Sequence, residues 1–111
     1  MMKASYREMR VLILFDLPSV SKSEKRSYVR FRKAIMDDGF TMLQFSIYMR
    51  FCRNQMDAQK HIMRVRGIAP KDGNIRILTV TEHQFEEMIL VVGELTENEK
   101  VVGKEYVVVI E

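Results

Sequence analysis

The apolar residues of this chain fall in short blocks separated by polar stretches with clear turn and cap chemistry. Arg10–Asp16 reads RVLILFD. Five consecutive apolar residues closing on a charge predict a buried central strand. Leu17-Pro18-Ser19 breaks it. Ser21 and Glu24 stand at capping-box spacing, so a helix should follow, run to about Asp38 and stop at Gly39 in the left-handed region. At helical spacing Tyr28, Phe31 and Ile35 share one face. Lys22, Arg26, Arg30 and Lys33 form a stripe on the other side, widened by Lys25 and Arg32.

Phe40–Phe51 alternates. Phe45, Ile47, Met49 and Phe51 interleave with Gln44, Ser46, Tyr48 and Arg50, which predicts a strand with one buried and one wetter face. Asn54, with Asp57 three residues on, predicts the start of a second helix reaching about Arg66-Gly67. Pro70–Asn74 reads as a turn and Ile75–Thr81 as a β-branched strand. A short helical turn over Glu82–Glu87 and a short apolar strand over Met88–Val92 follow. After Gly93 comes a polar, acidic segment and then YVVVI, Tyr106–Ile110, a strong strand.

Read plainly the order is β-α-β-α-β-(turn)-β. Residues 40–51 are long enough for a bend or a paired segment. Split there, the chain becomes an α+β ferredoxin-like sandwich, an antiparallel sheet with two helices on one face. The other face then needs a partner. The expected division is a domain over 1–93 and an acidic linker with a C-terminal strand over 94–111. An exposed YVVVI edge invites aggregation, so pairing with a second chain is expected.

Length and composition sharpen this. At 111 residues there is room for one domain. With a single cysteine, Cys52, the chain forms no internal disulfide, and a reducing cytoplasmic setting is expected. No apolar run approaches the roughly 18 residues of a membrane span, and MMKASYREMR has no uninterrupted apolar segment of the kind a secretory signal carries. The net charge of +3 conceals a strong asymmetry. Residues 1–66 carry fourteen basic against six acidic side chains, a balance of +8; residues 67–111 carry four against nine, a balance of −5. That pattern predicts a basic surface for a polyanion and an acidic one for another partner.

Catalytic motifs are sparse. There is no phosphate-binding glycine loop and no HExxH; His83 with Glu86 and Glu87 is only a loose echo of the latter. Cys52 has no adjacent histidine. Asp16 stands out because it closes an apolar strand where the chain leaves the sheet. It either caps the following turn or, as one of two copies facing across a dimer axis, holds one divalent ion, since one carboxylate alone cannot satisfy Mg²⁺. The basic helix face is either a solvated surface or a contact for phosphates. With few aromatic residues among its cations, it suits duplex backbone better than stacked bases.

The segments YREMRVLILFDLP, KRSYVRFRKAIMDDGFTMLQFSIYMR and PKDGNIRILTVTEHQFEEM resemble the small universal protein of CRISPR spacer acquisition, the Cas-two family, in the flavour found with single large Cas-nine-type effectors. The resemblance covers roughly Tyr6–Met88. It implies a ferredoxin-like homodimer whose C-terminal strand adds to the partner's sheet. It also implies a central scaffold that bridges two dimers of the CRISPR integrase subunit and holds duplex DNA, the spacer precursor and the CRISPR repeat. Phosphate contacts are expected from Lys22, Lys25, Arg26, Arg30 and Lys33, and an integrase contact from the acidic stretch Glu94–Glu105. The family is also classed as a metal-dependent endonuclease. Its strand-end aspartate falls on Asp16, the expected catalytic residue and Mg²⁺ ligand, with the ion shared between two subunits. A toxin-like ribonuclease or a ferredoxin-like RNA-binding module is the remaining alternative.

Overall fold

A computed structural model of the protein describes residues 7–96. The elements are β1 (Met9–Asp16), α1 (Lys22–Asp37), β2 (Thr41–Gln44), β3 (Ile47–Cys52), α2 (Gln55–Ile68), β4 (Asn74–Thr81) and α3 (Glu82–Glu86). The four strands form one sheet in the order β2-β3-β1-β4. β1 lies antiparallel to both β3 and β4, and β2 antiparallel to β3. This is the ferredoxin-like α+β arrangement.

The core follows from the period-two geometry of the central strand. Val11, Ile13 and Phe15 point to the side covered by both long helices, where Phe31 and Ile35 of α1 and Ala58 and Val65 of α2 meet them. Phe15 is the hub. Its ring meets Phe31 edge-on at 5.3 Å between centroids and stacks on Tyr48 at 5.6 Å. Val11 and Ile13 are wholly buried, each worth about 1.5–3 kcal/mol of transfer free energy.

The helix ends use the chemistry the sequence advertises. The Glu24 amide donates to the Ser21 hydroxyl at 3.1 Å, and Glu24 Oε1 accepts from the Ser21 amide at 2.9 Å. At the other end Gly39 takes φ +95°. Its amide reaches Met36 O, and the Phe40 amide reaches Ile35 O, both at 3.0 Å, the paired bonds of a Schellman stop. α2 ends close to the expected Arg66-Gly67, at Ile68, and stops at Ala69, whose extended backbone is what the following Pro70 requires.

Residues 40–51 form a hairpin rather than one strand. β2 and β3 fold back around Phe45-Ser46, with Ser46 at φ +64° and its carbonyl accepting from the Phe15 amide at 3.1 Å. This overturns the simple alternation. Phe45 sits at the turn and is 81% exposed, while Tyr48 and Met49, on opposite faces, are both buried. Tyr48 packs under the helices, and Met49 is covered from the other side by Arg10.

The apolar stretch Met88–Val92 forms no strand. Ile89, Val91 and Val92 are each at least 80% exposed. β-Branched composition alone does not make a strand without a neighbouring ladder to join. The predicted strand Tyr106–Ile110 lies outside the described residues, as does most of the 94–111 segment.

Among the described residues the second sheet face is covered at one end only. There α3 lies across it, and its own start is capped by Thr81 and Gln84. Glu82, wholly buried, pairs with the buried Arg10: Nε–Oε1 is 2.7 Å and Nη2–Oε2 is 3.2 Å. Phe85 lies with its ring centroid 4.3 Å from the Arg10 guanidinium. Beyond this cover, Leu12 and Leu14 stay half-buried and Leu78 is 55% exposed.

Candidate nucleic-acid interface and strand-end carboxylate

The solvent side of α1 carries Lys22, Lys25, Arg26 and Arg30, all exposed, and none of them forms an ion pair among the described residues. A capped helix holds them in fixed relation. Their spacing places Lys22, Arg26 and Arg30 along one stripe, with Lys25 beside it. Two further cations from the sequence reading separate from this set. Lys33 is exposed but pairs with Asp37 at 2.9 Å, one turn on. Arg32 is exposed as well, but its Nε donates to the Tyr48 hydroxyl at 2.6 Å, which ties it to the hairpin.

Asp16 occupies the last position of β1, opposite Asn74 of β4, and is exposed. Strand alternation puts it in the row Arg10, Leu12, Leu14, Asp16, on the face that the long helices leave open. Its carboxylate and the α1 cations therefore look to opposite sides of the sheet. The turn that follows is fixed tightly: Gly73 has φ +101°, and a Cβ there would lie 2.8 Å from the Asp16 carbonyl oxygen and 2.7 Å from Leu17 Cδ2. Among the described residues no three His, Cys, Asp or Glu side chains come together to hold a metal ion.

The structure reveals a charged cluster that spacing alone does not show. His61 of α2 is buried. Its Nδ1 lies 2.7 Å from Asp38 Oδ2, and its Nε2 lies 3.4 Å from Asp57 Oδ1. Arg64 reaches the other Asp38 oxygen at 2.7 Å, and Arg50 Nε donates to the Asp38 carbonyl at 2.8 Å. Burial works against the charge on Asp38, but the hydrogen bonds from His61 and Arg64 and the Arg64 guanidinium outweigh it and hold its carboxyl below the usual 3.8. An ionised carboxylate only accepts, so the proton of this contact sits on His61 Nδ1. Asp38 follows the last residue of α1, where the helix dipole disfavours a negative charge. These partners from α2 and β3 are the reason it is tolerated. The cluster ties α1 to α2 and keeps the basic face in place; it is structural. Cys52 is likewise no nucleophile: it is wholly buried, and desolvation pushes its thiol above the ordinary value.

The chain is thus a ferredoxin-like domain with a cationic helix face and a lone carboxylate at the end of its central strand. The chain belongs to the family described as CRISPR associated protein Cas2, whose sequence pattern matches residues 9–88. It is 48% identical over 85 residues to a CRISPR-associated endoribonuclease Cas2 of Acidovorax ebreus, a match covering 77% of this chain and 83% of that one. It is 42% identical over 88 residues to a protein of the same name from Flavobacterium psychrophilum, covering 79% and 76% respectively. A solved structure titled as a crystal structure of cas2 superposes with a TM-score of 0.55 at 18% identity, over 81% of this chain and 92% of the other, a likeness of fold. No helix of the described residues is long and apolar enough to cross a membrane.

Proposed function

We propose that the protein is the central scaffold of CRISPR spacer acquisition. As a homodimer in the cytoplasm it holds duplex DNA, the spacer precursor and the CRISPR repeat, and bridges two dimers of the integrase subunit while foreign DNA is inserted into the CRISPR array. The observation that carries this reading is the set of exposed cations on α1 without ion-pair partners among the described residues, Lys22, Lys25, Arg26 and Arg30. Phosphate contacts of this kind position a duplex without reading its sequence. The half-covered apolar row Leu12, Leu14 and Leu78 supports a second copy on the open face.

Four contacts per protomer make eight per dimer. The slope of log K against log salt is then about −7, by the rule of about −0.9 per neutralised phosphate. Lys25→Glu with Arg26→Glu removes half the contacts, and the slope falls to about −4 or shallower. Fluorescence anisotropy of a labelled duplex across salt concentrations measures this. An unchanged slope overturns the assignment of the α1 face.

A second reading rests on Asp16, an exposed carboxylate on the open face with no side-chain hydrogen bond among the described residues. It is a Mg²⁺-dependent endonuclease acting on single-stranded RNA or duplex DNA. One chain contributes a single carboxylate, which fits only an ion shared with the Asp16 of a second subunit across the dimer axis. When bound, the ion supplies Lewis-acid stabilisation of a phosphoryl oxygen. Asp16 itself would hold it and fix its position. Mn²⁺ binding followed by electron paramagnetic resonance, together with RNA cleavage, tests this. Both fall in Asp16→Ala while integration survives; cleavage that persists in Asp16→Ala sinks the reading.

A further inference from the structure

On the helix side of the sheet, away from the Asp16 carboxylate, a cleft of about 320 Å³ opens between the loop after β1, the first half of α1 and the turn before β4. It is at the small end of the range for ligand sites, enough for one nucleotide and too small for a duplex. Its walls combine unlike chemistries. Leu17, Pro18 and Pro70 are apolar; Tyr28 is half-buried, its ring tilted against Phe15 at 6.0 Å; and Arg30 and Lys71 are exposed cations with no ion pair among the described residues. Asp72 adds a carboxylate acceptor that forms no ion pair among the described residues.

A bare inorganic anion is poorly matched to such a cleft, because Asp72 repels it. A purely apolar ligand leaves the charges unused. A nucleotide has the three parts required: a planar base for Tyr28 and the proline walls, a phosphate for the cations, and amino donors for a carboxylate. The cleft is also preorganised. The Glu24 carboxylate in its wall is committed to the helix cap, accepting from the Val20 and Ser21 amides at 3.0 and 2.9 Å. The wall bearing Lys71 is held against Leu17 by the close approach at Gly73.

We propose that this cleft is a subsite for one unpaired nucleotide of a strand bound along the α1 face, with Tyr28 contacting the base and Arg30 and Lys71 the phosphate. It rests on the nucleic-acid reading above and extends it: the basic stripe holds backbone, and the cleft beside it selects a strand with an unpaired position. Because Arg30 borders both, the clean variants are Tyr28→Leu, which keeps an apolar side chain on Phe15, and the exposed Lys71→Gln.

The probe is a short single-stranded oligonucleotide carrying one central 2-aminopurine, with the matching blunt duplex and free AMP alongside. The base fluorescence of the single strand is quenched on binding. Tyr28→Leu relieves the quenching and weakens single-strand affinity roughly 5- to 150-fold. Lys71→Gln lowers the single-strand salt slope by about 0.7. Duplex affinity stays at the wild-type value in both variants. Quenching that is absent, or unaltered in Tyr28→Leu and Lys71→Gln alike, overturns the proposal. Binding of AMP without binding of the strand overturns the strand assignment. Failure of the scaffold reading is distinct, since it is read from the salt slope of duplex binding in Lys25→Glu with Arg26→Glu.

Discussion

Glu82→Ala leaves the Arg10 guanidinium buried without its carboxylate. In the native fold Arg10 and Glu82 are 1% and 0% exposed and share two contacts, at 2.7 and 3.2 Å. The substitution leaves Met49 Sδ at 3.3 Å and the Phe85 and Phe51 rings at 4.3 and 5.7 Å, none of which carries a negative charge. Removing one partner of such a buried pair costs about 3–5 kcal/mol. Against a total stability of about 5–15 kcal/mol this is a large share. At about 4–8 °C per kcal/mol for a domain of this size, the midpoint falls by at least ~12 °C. Urea unfolding followed by circular dichroism measures the cost directly. The double variant Arg10→Met with Glu82→Leu removes both charges and recovers most of the loss, because the pair's attraction largely offsets its own desolvation. A Glu82→Ala cost below about 1 kcal/mol, or a double variant no more stable than the single one, refutes the reasoning. The result also matters for function, since α3 sets the edge of the open face on which Asp16 lies.

Gly73→Ala destabilises by about 1–3 kcal/mol, because alanine resists φ +101° and its Cβ meets the Asp16 carbonyl; thermal melting checks this, and a loss below 0.5 kcal/mol, about the size of an ordinary surface change, contradicts it. Asp38 has a folded pKa below its ordinary 3.8, so its stabilising contribution is fully present above the unfolded value and is lost as pH falls through the folded one. Asp38→Asn is therefore less stable than the wild type at neutral pH, and the gap narrows below about pH 4; a pH-independent gap in urea titrations excludes this linkage.

Local chemistry was legible because it is short-range. The Ser21–Glu24 box, the Gly39 stop and the Asn54 cap each depend on residues within a turn of one another, and all three stand as read. The central strand was legible because five apolar residues in a row need cover on both faces. The hairpin at Phe45-Ser46 was only foreshadowed: alternation continues unbroken through the turn in sequence, and the fold-back is fixed by the Ser46 carbonyl meeting β1. Met88–Val92 misled because its strand propensity has no ladder to satisfy it among the described residues. The same contrast divides the candidate site. That α1 is basic was written in its spacing. That Arg32 is bonded to Tyr48, and that Lys33 is paired, depended on side chains arriving from β3 and from the next turn.

By itself, then, the sequence determined the two long helices, the strands β1 and β4, the capped basic face of α1 and the carboxylate at the end of β1, since periodicity, caps and charge act within a few residues. Only the tertiary structure decided that the Asp16 carboxylate and the α1 cations look to opposite sides of the sheet. It also brought Asp38, His61 and Arg64 together from separate helices, and set Tyr28, Arg30 and Lys71 around one cleft. Those relations depend on strand register and on contacts between distant parts of the chain, which no local pattern encodes.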